Sequence, residues 1–122
     1  MANSSIQRDP ALERCIADCF ECHRSCFETI QHCLRTGGIH AQPPHIGLLL
    51  NCAGLCQAGA QFMLTGSPFQ SRVCQICSEV CAACADDCER LGSDDDMMQK
   101  CADVCRRCAS SCKVMSQTVR AA

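Results

Sequence analysis

The chain has no tryptophan and no tyrosine, and its four phenylalanines bring the aromatic content to only 3%. Few ring faces are available for stacking on a base. Lysine and arginine are scattered and the net charge is −2. Neither nucleic acid nor an anionic membrane surface is therefore a predicted partner. No segment alternates with period two, which argues against strands. The N-terminal stretch MANSSIQRDPALERC has no apolar run, so no signal peptide, twin-arginine signal or membrane anchor is expected in it. The expected compartment is the cytoplasm, where thiols are kept reduced.

What the sequence has in place of aromatic bulk is sulfur. All 16 cysteines fall into four groups. The stretch CQICSEVCAACADDC holds Cys74, Cys77, Cys81, Cys84 and Cys88 at intervals of three, four, three and four. Cys15, Cys19, Cys22 and Cys26 run four, three, four, with Cys33 one heptad further on. Cys101, Cys105, Cys108 and Cys112 repeat four, three, four, and Cys52 and Cys56 form a shorter group. Free cysteine packs as a small hydrophobe, so these residues are predicted to form much of the core themselves.

Proline and glycine punctuate the chain into four segments. Asp9-Pro10 reads as an N-cap followed by proline at the first helical position, and Gly37-Gly38 as the stop. Pro43-Pro44 and Gly66 bound a second helix, and Ser67-Pro68 and Gly92 a third. Ser93 is the predicted cap of the fourth, with Asp94, Asp95 and Asp96 against the positive end of its dipole and fraying near Val119. The predicted helices span about 10–36, 44–65, 68–91 and 94–118 within a single domain, 1–122. Similar lengths and short loops predict an all-α, antiparallel up-down-up-down four-helix bundle with a cysteine-lined core.

Alternating steps of three and four average about 3.5 residues, the seam of a left-handed coiled coil. Cysteine thus occupies positions where a bundle normally places leucine, and facing seams enclose a column of thiols. Several chemistries compete for such a column. Disulfides suit a secreted chain but not a reduced compartment, and neighbours on one helix are poorly placed for them. Iron–sulfur clusters use loop spacings and here the spacing is helical. Structural zinc needs four ligands per ion, far fewer than these thiols supply. A core in which cysteine is mere filler carries an oxidation liability that leucine or alanine avoids. Cu(I) fits better. It prefers thiolates, and pairs four residues apart, such as Cys22/Cys26 or Cys108/Cys112, lie on one helix face. Each ion also offsets a thiolate charge that burial would otherwise make costly.

The segments NCAGLCQAGAQFMLTGSPFQSRVCQICSEVCAACADDCE and MQKCADVCRRCASSCKVM, with a first helix of the same pattern, resemble the bacterial copper storage proteins, particularly their cytosolic branch. The likeness runs from about Cys15 to Met115. It implies a bundle whose cysteine-lined lumen stores many Cu(I) ions, usually within a tetramer, and so a protein that buffers and detoxifies copper rather than an enzyme. The second helix is poor in cysteine, so the family's metal count does not carry over directly. The alternative is a zinc-binding or thiol-redox helical module.

Up-down topology gathers His32, His40, His45, Met97 and Met98 at one end of the bundle. Imidazole and thioether ligands there suit a mouth that passes Cu(I) to the thiolates, and the resemblance implies that metal enters at this end. His45 and Met98 are the strongest candidates because both lie on seams; His40 is on the adjacent loop. The predicted metal ligands are therefore all 16 cysteines with His45, Met98 and His40. Leu12, Met63, Met115 and Val119 read as an apolar plug at the other end, and His23, off the seam, as a packing or exposed residue. A second stripe on the first helix, Ile16, Phe20, His23, Phe27, Ile30 and Leu34, with Leu48, Leu55 and Phe62 on the second, predicts a contact surface. A homo-oligomer is expected, and the resemblance suggests four chains.

Overall fold

The computed structural model describes residues 9–117. They form α1 (Pro10–Thr36), α2 (Pro43–Leu64), α3 (Gln70–Leu91) and α4 (Asp96–Ser116), with a 3₁₀ turn at Gly38–Ala41 joining α1 to α2. Each of α1 and α3 packs against both α2 and α4. The four helices thus close into an up-down-up-down ring, with α1 across the lumen from α3.

The termini follow local chemistry. The Asp9 side chain accepts from the Ala11 amide, and Pro10 begins α1. Gly37 ends it at φ 77°, a conformation costly for any residue with a Cβ. Gly66, at φ 62°, turns the chain out of α2. Two predicted boundaries shift. α3 starts at Gln70 rather than near Ser67-Pro68, because Ser67 holds a separate turn in which its Oγ accepts from the Phe69 amide at 3.1 Å. α4 starts at Asp96, and its cap is Asp95 rather than Ser93: the Asp95 carboxylate accepts from the Met98 amide at 3.0 Å. Val119, and the fraying assigned to it, lie outside the described residues.

α2 is long and apolar enough, by length and composition, to cross a membrane. Here it is a wall of the bundle: Leu49, Cys52, Ala53, Cys56, Ala60 and Met63 are buried in the core. Ile46, Leu48 and Leu55 are partly buried against that core, whereas Leu50 and Leu64 are exposed. The second stripe of α1 divides in the same way. Ile16 and Ile30 are buried within the bundle, correcting their assignment to an outer surface, whereas Phe20, Phe27 and Leu34 are 49%, 45% and 52% exposed. His23 ties α1 to α2 through Nδ1, 2.8 Å from the Ala53 carbonyl oxygen, and its ring meets Phe27 edge-on.

Candidate metal centre

The three-four rhythm turns every cysteine inward. All 16 are buried and none is paired in a disulfide. Sulfurs from different helices stand one van der Waals contact apart: Cys52 to Cys81 at 3.5 Å, Cys15 to Cys112 at 3.6 Å, Cys22 to Cys105 at 3.7 Å, Cys56 to Cys108 at 3.7 Å. A disulfide would need about 2.05 Å. Sulfur at contact distance is instead how thiols fill a core, and how they wait for an ion that can sit between them.

Four sets of four sulfurs lie within 4.8 Å of one another. Their membership makes a ladder. Cys19, Cys77, Cys108 and Cys112 form the first; Cys56, Cys77, Cys81 and Cys108 the second; Cys22, Cys52, Cys56 and Cys81 the third; Cys22, Cys26, Cys52 and Cys105 the fourth. Each set shares two sulfurs with the next: Cys77 and Cys108, then Cys56 and Cys81, then Cys22 and Cys52. The remaining thiols extend the ladder, Cys15 and Cys74 at the end where α1 begins, and Cys33, Cys84, Cys88 and Cys101 toward the other.

Burial governs the protonation of Cys33. Loss of water, reinforced by the Asp95 charge, pushes its thiol up to about 11. Cys84 goes the other way, down to about 7, because Cys105 and Cys26 donate hydrogen bonds to its thiolate. Cys105 is raised, through its hydrogen bonds with Cys101, Cys22, Cys26 and Cys52 and through burial.

Sequence-predicted ligands meet at the end where α1 and α3 finish. His45 is only 2% exposed. Its Nε2 lies 3.5 Å from Cys33 Sγ, and its Nδ1 lies 2.7 Å from the Asp87 carboxylate, which Arg90 also grips. Asp87 accepts from Nδ1–H, so Nε2 keeps the lone pair and faces the thiol. Met98 is fully buried beneath Gly92, where a Cβ would come within 2.5 Å of its own Cβ. No residue larger than glycine fits there. His40 sits apart on the 3₁₀ turn, its Nδ1 3.8 Å from Asp95 Oδ2, while His32 Nε2 is 2.6 Å from the same oxygen. Burial opposes ionisation of Asp95, but His32 and the Met98 amide outweigh it and hold the carboxyl below its ordinary range. At the opposite end Met63 and Met115 are buried and Leu12 is half-buried.

Sequence reasoning found the histidines but not their partners. Asp87 lies one residue before a seam cysteine near the mouth, a position at which a carboxylate can reach a neighbouring helix. Asp95 read as one of three capping aspartates; only the fold brings His32 and His40 to it.

A family model described as copper storage protein matches residues 8–117. The chain belongs to the copper storage protein family. No curated protein sequence matches it, but solved structures do. A protein from Nitrosospira multiformis is 42% identical over 89% of this chain and 97% of its own, with a TM-score of 0.82. The Cu(I)-bound copper storage protein BsCsp3 is 33% identical over 87% and 98%, with a TM-score of 0.80, and an apo copper storage protein 3 from Bacillus subtilis matches at 0.76. A cytosolic copper storage protein from Streptomyces lividans, bearing five coppers, is 28% identical over 90% and 95%, with a TM-score of 0.78. Both apo and Cu(I)-bound copper storage proteins therefore share this bundle, and the lumen described above belongs to a fold that tolerates either state.

Proposed function

We propose that this chain stores Cu(I) in the cytoplasm, buffering and detoxifying copper, with the 16 cysteines as storage ligands. The observation that carries this is the edge-sharing ladder of sulfurs. A Cu(I) ion arriving at a thiol displaces its proton, so one positive charge leaves as one enters and the buried lumen gains no net charge. A thiolate on a shared edge has lone pairs for ions in two adjoining sets, which favours bridged clusters. Zinc, the second reading, draws support from the four-sulfur sets, but each structural ion takes four ligands, so zinc would load this ladder with far fewer ions per thiol than Cu(I), which accepts lower coordination.

The mouth supports a loading path. His45 Nε2 lies beside Cys33, and buried Met98 lines the same end, so an imidazole and a thioether can hold Cu(I) before it reaches thiolate. His40 is the outermost candidate. Storage rather than catalysis is favoured because metal catalysis needs a coordination position open to substrate, and every thiol here is buried. Exposed Phe20, Phe27 and Leu34 on α1, with Leu50 and Leu64 on the adjacent α2, support burial of these two helices in a homo-oligomer. Four chains is the number that the cytosolic branch suggests.

The deciding experiment is anaerobic titration of the fully reduced protein with Cu(I), with metal and protein quantified after gel filtration. Storage predicts roughly 14 to 20 Cu(I) per chain from bridging thiolates. Saturation at four or fewer overturns it, and stoichiometric zinc retained against a Cu(I) challenge favours the second reading.

A further inference from the structure

The lumen seam of α2 runs Leu49, Cys52, Cys56, Gly59, Met63, and at Gly59 the sulfur ladder loses its fourth wall. Gly59 is buried inside a long helix, where glycine is less favourable than alanine. The bundle itself does not require it. A Cβ built at Gly59 would lie 3.6 Å from Cys19 Sγ and 4.0 Å from Cys77 Sγ, ordinary van der Waals contacts with nothing displaced. Gly92 is the contrasting case, since a Cβ there collides with Met98 at 2.5 Å. Metal-free packing therefore explains glycine at 92 and leaves glycine at 59 without a cause.

The two sulfurs that Gly59 faces belong to the set formed by Cys19, Cys77, Cys108 and Cys112, the one rung to which α2 contributes no thiol. We infer that Gly59 sets the capacity of this end of the lumen: the side-chain space it leaves vacant accommodates Cu(I) held by Cys19 and Cys77. A metal–thiolate bond is shorter than a carbon–sulfur contact, so an ion shared by these two sulfurs on the α2 side stands between them and the place of a Cβ at position 59, 3.6 and 4.0 Å from the same sulfurs, and a methyl group there would crowd it. The glycine trades helix stability in the metal-free state for space in the loaded one. This inference rests on the storage function proposed above.

The test compares wild type, Gly59→Ala and Gly54→Ala. Gly54 faces outward, with open space where its Cβ would be, so its substitution stiffens the same helix without touching the lumen. Both variants should fold, and Gly59→Ala should raise the melting temperature of the reduced apo-protein by about 3 °C. In anaerobic Cu(I) titration Gly54→Ala should match wild type, and Gly59→Ala should saturate about one to three ions lower. Full wild-type capacity in Gly59→Ala overturns the inference. So does a lower apo melting temperature in that variant, because metal-free packing would then account for the glycine. An equal loss of capacity in Gly54→Ala also overturns it, assigning the effect to helix stiffness. Failure of the wild type to bind more than four ions is a different result, which defeats storage itself.

Discussion

His45 Nδ1 stands 2.7 Å from the Asp87 carboxylate while its Nε2 stands 3.5 Å from Cys33 Sγ. One imidazole thus joins an acidic residue of α3 to the outermost thiol of α1. The carboxylate fixes the tautomer and leaves Nε2 facing the outermost thiol. Asp87→Asn keeps the shape but weakens the hold on Nδ1–H and removes the charge. Loading of Cu(I) from a chelate, followed by stopped-flow absorbance, should slow by roughly tenfold, within the range for an outer-shell partner of a ligating histidine. A His45→Ala, Met98→Ala double variant should slow further, with the final stoichiometry close to wild type. A sharp fall in the endpoint with unchanged rate would make these residues storage ligands or structural supports instead.

Shared-edge sulfurs should matter more than terminal ones. Cys22 and Cys52 each belong to two adjoining sets and lie 3.7 Å apart. Replacing both with alanine removes an edge from the ladder, while replacing Cys15 and Cys74 shortens it at one end. Anaerobic titration should show the larger loss of Cu(I) for Cys22→Ala, Cys52→Ala, with helix content retained in both. Equal losses would mean that each thiol binds independently.

The apo-protein should be folded. Protonated thiols already fill the core at contact distance, with Cys52 and Cys81 at 3.5 Å, and the caps of α1 and α4 are made by aspartate side chains without metal. Far-ultraviolet circular dichroism of reduced, metal-free protein should show a strongly helical spectrum. A coil spectrum that becomes helical only with copper would point to metal-driven folding.

Alkaline pH should destabilise the apo-protein and not the loaded one. Burial pushes the Cys33 thiol from 9.0 up to about 11. A group raised on folding holds its proton more tightly in the native state, so its contribution is complete below pH 9 and is lost as pH rises toward 11. Thermal melts of reduced apo-protein should fall above about pH 9 as this contribution is lost. With Cu(I) bound, the proton has already left and the dependence should disappear. A pH-independent apo melt from 8 to 11 would show that the buried thiol does not limit alkaline stability.

Assembly should depend on the outer side of α1. Phe20 and Phe27 are 49% and 45% exposed, and two glutamates there would put charge into any interface they form. Analytical ultracentrifugation should find wild type as an oligomer of four chains at micromolar concentration, and Phe20→Glu, Phe27→Glu as a folded monomer that still binds copper. A monomeric wild type removes the interface.

The sequence by itself determined the bundle and the direction of its thiols. A three-four spacing has one face on a helix, and proline, glycine and aspartate mark most helix ends through their own backbone chemistry, so both were readable without knowing any partner. Helix starts were less legible. Ser67 and Ser93 are good caps in isolation, but the chain turns once more before α3, and Asp95 is better placed to accept from Met98. Only the tertiary structure decided which cysteines stand together. Sulfurs far apart in sequence, such as Cys15 and Cys112, meet because helix rotation and axial offset bring them into register, and local spacing carries no record of either. The same is true of Asp87 with His45, of Ile16 and Ile30 turning inward while Phe20 and Phe27 stay out, and of the gap beside Gly59. Each depends on distances between helices, which neighbouring elements set together through packing.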